Sequence, residues 1–271
     1  MSNLVLHTLC KEVKEIYKKK EYKWNDDIIT NKDIEILKKE SSEESPFDKL
    51  HLKKNIYDNF VKGNKTVQSI VKKTKNFRIV ILSENIHEFY PWKTWARIFQ
   101  WFGMSHATIY IYSSKQQRIL PNEDIAIGPE YVNGGYTYPC KSDCVVIYRY
   151  EEITRVLIHE LLHAACTDDF SKPVEQREAL TETWAELFLV ALLSKGDIFL
   201  ANKLWLQQDH HIQDLNNTLL NFYKNHEYAS RYTIMRTPVL DNLGIQLDTN
   251  YTSKHIKSSR FTSVELDNYL E

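Results

Sequence analysis

The stretch Glu151-Glu152-Ile153-Thr154-Arg155-Val156-Leu157-Ile158-His159-Glu160-Leu161-Leu162-His163-Ala164-Ala165-Cys166 decides how the rest of the chain is to be read. Apolar residues recur at helical spacing from Ile153 to Cys166, and Glu151 and Glu152 stand where a helix N-terminus welcomes negative charge. Within this helix lies the pattern H-E-x-x-H, His159 to His163. Four residues is just over one turn, so both imidazoles leave the same face about 6 Å apart along the axis, close enough to share one zinc ion. Glu160 lies about 100° around the helix, near such a metal but out of line with the ligands. A carboxylate there can take a proton from water held at the metal and pass it to a leaving group. The bland alternative is a core helix that happens to carry two histidines.

A zinc ion in a hydrolytic site takes three protein ligands and keeps an open position, so a third donor must come from elsewhere. A second helix is predicted from about Pro173 to Leu193, opened by Ser171 and Pro173 and closed by Lys195 and Gly196. It carries Glu178, Glu182 and Glu186 at four-residue steps, hence along one face. Trp184, Leu187, Phe188, Val190 and Leu192 make this helix strongly apolar, which speaks against a solvated acidic stripe. Cys166 is a rival donor three residues after His163. Three ligands rising along one straight helix would spread over about 10 Å, too far to converge on one ion, so Cys166 is read as a small core residue.

On these two helices the chain resembles the thermolysin- and neprilysin-like superfamily of gluzincin metallopeptidases. Its H-E-x-x-H helix is followed by a glutamate helix, in several branches with E-x-x-A-D or a close variant, and Glu182-Thr183-Trp184-Ala185-Glu186 matches with Glu in place of Asp. The resemblance covers Ile153 to Leu187. It implies one catalytic Zn2+ per chain held by His159, His163 and Glu182, with Glu186 hydrogen-bonded to His159 and Glu160 as the base that activates the attacking water. It also implies a peptide or protein substrate, bound as an extra strand on a sheet edge. Tyr131 to Tyr138, containing Asn133, Gly134 and Gly135, stands in the right order for that edge, with a simple turn as the alternative. The G-x-M-E-N segment of the aminopeptidase branch is not matched around Gly128-Pro129-Glu130. Relatives stabilise the oxyanion with a His, Tyr or Arg from the C-terminal part. Here the cluster His226, Tyr228, Arg231 and Tyr232 offers such donors, His226 and Tyr232 first, with His210 and His211 as further candidates.

Upstream, Phe77 to Ser83 reads as a buried strand, Trp92 to Phe102 as an amphipathic helix, and Ala107 to Tyr112 and Cys144 to Tyr148 as further strands. From Ile198 to about Tyr232 the pattern is helical, and past Pro238 only Ser263 to Leu270 suggests a short helix. The expected architecture is α+β and zincin-like: a small mixed sheet, the H-E-x-x-H helix, the glutamate helix and a helical C-terminal part over residues 77–271. Residues 1–76 are thick with Lys and Glu and are expected to form a helical region, jointed at Ser41 to Pro46, that regulates access or recruits a partner.

Composition narrows the remaining choices. With 271 residues, 42% of them apolar, the chain has ample material for a core. A net charge of -1, from 35 basic and 36 acidic side chains, favours neither nucleic acid nor an anionic membrane. No apolar run spans a bilayer and Leu4 to Leu9 is too short for a signal peptide core, so a cytoplasmic protein with reduced cysteines is expected. Cys140 and Cys144 alone make half a metal site with no matching pair nearby. Endoproteolysis is the leading expectation. An exopeptidase or a non-catalytic, zinc-stabilised binding protein is the alternative, and the oligomeric state is not legible.

Overall fold

The run Phe77-Arg78-Ile79-Val80-Ile81-Leu82-Ser83 pairs in parallel with Ala107-Thr108-Ile109-Tyr110-Ile111-Tyr112-Ser113 over its whole length. Both are rich in β-branched and aromatic side chains, which suit a pleated, buried surface. The structure, a computed structural model, describes residues 4–64, 66–85 and 87–271. In chain order its elements are α1 (Leu4–Lys18), β1 (Asn25–Asp27), α2 (Asn31–Ser42), α3 (Leu52–Val61), β2 (Gln68–Lys73), β3 (Phe77–Ser83), α4 (Trp92–Phe102) and β4 (Ala107–Ser113). There follow α5 (Pro129–Val132), β5 (Gly135–Thr137), β6 (Val145–Ile147), α6 (Ile153–Ala164), α7 (Val174–Leu193), α8 (Ile198–Phe222), α9 (Glu227–Ser230), α10 (Arg236–Asn242) and a 3-10 helix (Val264–Tyr269).

The fold is mixed α+β, and the chain divides into two compact units. One draws on residues up to Glu21, on Arg118–Val132 and on Asp168–Glu271; the other on Tyr22–Gln117 and Asn133–Thr167. The boundary expected near residue 76 does not separate them, because α1 joins the helical unit while β1, α2, α3 and β2 join the sheet. The stretch read as a helical N-terminal region therefore also holds two strands; its Met1 to Asn3 and Lys65 lie outside the described residues. Ile70 and Val71 explain β2. They sit in a short run that pairs antiparallel with β3, Val71 opposite Val80.

In the sheet unit the strand order is β1-β2-β3-β4-β6-β5. The three central strands are parallel, and β5 lies antiparallel to β6 with Gly135 opposite Ile147. Alternation along the strands makes two faces. Val80, Leu82, Tyr110, Tyr112, Val146 and Tyr148 pack with Leu37, Leu52, Ile56 and Tyr57 of α2 and α3. Ile79, Ile81, Ile109, Ile111, Val145 and Ile147 form the opposite, fully buried face. Helix α6 lies on that second face, packed on β5 and β6, and α4 packs beside it.

The helical unit is organised by α7, which packs against α1, α8 and α10. Gly196, at φ +78, ends the turn after α7 so close to the backbone of Cys10 that a Cβ would collide. The C-terminal tail is pinned by buried Gln208, whose Nε2 donates to the Phe261 carbonyl (2.8 Å) and whose Oε1 accepts from the Ser263 N–H (3.0 Å). The tail after Pro238 is thus more ordered than its sequence suggests, and Pro238 itself falls inside α10. No helix among the described residues is long and apolar enough to cross a membrane.

Candidate metal centre

Within the sheet unit, α6 is fixed at both ends by specific contacts. Near its start the Trp95 indole N–H donates to Thr154 Oγ1 (3.0 Å), tying the first turn to α4. At its end the His163 carbonyl accepts from the N–H groups of Cys166 and Cys140, each at 3.0 Å, and the Leu162 carbonyl accepts from Thr167 Oγ1 (2.9 Å). Carbonyls that a helix terminus leaves without intrahelical donors are thereby satisfied.

Between these anchors His159, Glu160 and His163 are all buried. The two imidazole Nε2 atoms stand 3.1 Å apart and the rings are nearly perpendicular, at 72°. Two nitrogens bound to one tetrahedral zinc at about 2.0–2.1 Å would stand about 3.3 Å apart, so the pair is spaced as a shared ion requires. Glu160 faces the sheet edge. A Cβ added to Gly135 would lie 3.3 Å from Glu160 Cγ, and 2.8 Å from both Val156 Cγ1 and the Val146 carbonyl. Glycine at 135 is thus what lets α6 lie directly on β5. The two residues before it are held from below. Arg149 Nε donates to the Asn133 carbonyl and the Tyr148 N–H to that of Gly134, both at 2.8 Å. The segment expected to flank the substrate is accordingly a short strand at the sheet's end.

Within the helical unit the three glutamates of α7 meet different surroundings. Glu186 and Arg236 of α10 form a fully buried ion pair. Glu182 is completely buried one turn earlier, and Glu178 is half-buried. Near Glu178 lies part of the C-terminal cluster. Burial, followed by the nearby Glu178 and Tyr228, pushes the Tyr232 hydroxyl well above its ordinary value, so it stays protonated at neutral pH and able to donate. The Arg231 guanidinium sits 4.4 Å over the Tyr228 ring and 3.8 Å from Glu175. His226 stands at the N-terminus of α9 with Nδ1 2.6 Å from Ser230 Oγ. His210 and His211 are engaged elsewhere, with Asp248 (3.3 Å) and the Arg260 carbonyl (2.9 Å).

The cysteines depart from expectation. Cys140 and Cys166 form a disulfide, which removes both the reduced-thiol reading for that pair and any half-site of Cys140 with Cys144. The spacing of 26 residues gave no hint of it, because the return of the chain from β5 to the end of α6 creates the proximity. No protein-family model, curated protein or solved structure matches the chain.

Proposed function

We propose that the chain is a zinc-dependent peptidase of zincin-like architecture that hydrolyses internal peptide bonds. The observation that carries this reading is the pair His159 and His163 on α6, whose Nε2 atoms stand 3.1 Å apart with buried Glu160 beside them, the spacing of two ligands of one zinc ion next to a base. Bound there, zinc would polarise the scissile carbonyl and make water acidic enough to attack at neutral pH. Glu160 takes the proton of the attacking water and delivers it to the leaving amine nitrogen. A substrate strand laid along β5 passes beside Glu160, because Gly135 lets α6 lie directly on that strand. The protonated Tyr232 hydroxyl, or its neighbours Tyr228 and Arg231, donates to the developing oxyanion.

In this reading a glutamate of α7 supplies the third ligand, Glu182, the residue that the motif match singles out. Metal analysis after mild dialysis tests the assignment. Glu182→Ala should lose its zinc, while Glu178→Ala should keep it. Loss of zinc from Glu178→Ala with retention in Glu182→Ala shifts the ligand back by one turn. A parent protein that holds no zinc and cleaves nothing in a peptide library, with or without chelator, removes the peptidase reading.

A further inference from the structure

The disulfide between Cys140 and Cys166 joins the stretch after β5 to the end of α6, and both cysteines are exposed. Cys166 follows His163 by three residues, and Cys140 follows Thr137, the last residue of β5, by three. The backbone N–H groups of both cysteines donate to the same acceptor, the His163 carbonyl. Both also take left-handed backbone conformations, φ 62° and 64°. That region costs a residue with a Cβ about 1–2 kcal/mol and persists where the surroundings impose it. The bridge is the covalent constraint at this point, so cutting it frees both residues to leave that conformation and withdraw their N–H groups from His163.

The other two thiols are poorly placed to attack the bridge themselves. Cys10 is buried, and burial pushes its pKa up. Burial, then Glu40 and Asp143, pushes Cys144 up to about 12, which leaves almost no thiolate at neutral pH. An external thiol is the reagent that the bridge is open to.

We infer that Cys140–Cys166 is a thiol–disulfide exchange site for external dithiols and that its oxidation state sets the position of His163 and of the loop leaving β5. A thiolate of the dithiol attacks one bridge sulfur. The S–S bond breaks, its electron pair leaves on the other cysteine, and that sulfur takes up a proton. The second thiol of the reagent then attacks the mixed disulfide. This releases the remaining cysteine as a thiol and converts the reagent to its cyclic disulfide, two electrons and two protons having passed to the protein. The consequence for metal affinity rests on the zinc reading; the exchange and the loosening of the backbone do not.

The test uses the full chain. Folded protein is alkylated with iodoacetamide before and after dithiothreitol, and the labelled positions are read by mass spectrometry. Cys140 and Cys166 should label together, and only after reduction. Backbone hydrogen exchange is then compared between the parent and the Cys140→Ser, Cys166→Ser double variant, with Cys144→Ser as a control. The double variant should exchange about 10-fold faster over residues 138–144 and 161–167. In chelator competition without reductant it should hold zinc about 10-fold more weakly, whereas the control matches the parent. Labelling without dithiol, labelling only after denaturation, or unchanged exchange in the double variant each overturns the inference. If the parent takes up no zinc, the metal reading falls, while labelling and hydrogen exchange still decide the bridge.

Discussion

On one face of the sheet four tyrosine hydroxyls reach the elements that cover it: Tyr112 to the Leu37 carbonyl (2.7 Å), Tyr148 to that of Phe47 (2.7 Å), Tyr136 to Glu40 (2.6 Å) and Tyr110 to Asp33 (3.3 Å). On the other face the middles of the same strands carry only aliphatic side chains, and helix α6 supplies the polar groups. A buried phenol needs an acceptor, so the tyrosine face spends its polar chemistry on fastening α2, α3 and the loop between them. The aliphatic face demands nothing of α6 except apolar contact. His159, Glu160 and His163 are therefore not needed to satisfy the sheet. The contrast separates polar residues that fasten the sheet to its covering helices from polar residues that the sheet does not require.

The sharpest way to break this contrast is Glu160→Gln. On the aliphatic face the change should lower peptide hydrolysis by about 10² to 10⁴-fold while metal analysis still finds about one zinc per chain. Wild-type turnover by this variant would show that Glu160 is a core residue like any other.

A paired comparison sharpens it further. Gly135→Ala places a Cβ 2.8 Å from Val156 Cγ1 and from the Val146 carbonyl, and should cost about 1–3 kcal/mol in denaturant unfolding and weaken zinc retention by moving α6. Tyr112→Phe, on the tyrosine face, should cost about 0.5–1.5 kcal/mol and leave zinc retention untouched. Equal effects of the two variants on the metal would mean that the faces are not independent.

The smallest effect is a pH dependence confined to the tyrosine face. Burial pulls the Asp33 carboxyl up, but hydrogen bonds from Arg78 and Thr30 outweigh it and leave the group below its ordinary value of 3.8. Such a group contributes stability that is present above the unfolded value and is lost as pH falls through the folded one. Asp33→Asn should therefore flatten the acid limb of the stability curve below about pH 4, read from urea midpoints. An acid limb identical to that of the parent would remove Asp33 from the account.

Much of this was legible in the sequence, because it is written in short-range periodicity. The bounds of α4 and β3, and nearly those of β4, α6 and α7, follow from apolar spacing and from punctuation such as Gly196. Short elements were less legible. β5 is only three residues long and begins at a glycine that reads as a turn, and its partner β6 is needed to define it. β1 and β2 were hidden in a Lys- and Glu-rich stretch because their order comes from pairing, β2 on β3 and β1 on β2.

By itself the sequence determined that His159 and His163 leave one face of one helix with Glu160 beside them, since a four-residue step fixes that geometry locally. It also determined that three glutamates share a face of α7, because they recur at four-residue steps. The capture of Glu186 by Arg236 across 50 residues and the closure of Cys140 on Cys166 were left to tertiary structure, because each joins groups whose separation along the chain carries no periodic signal.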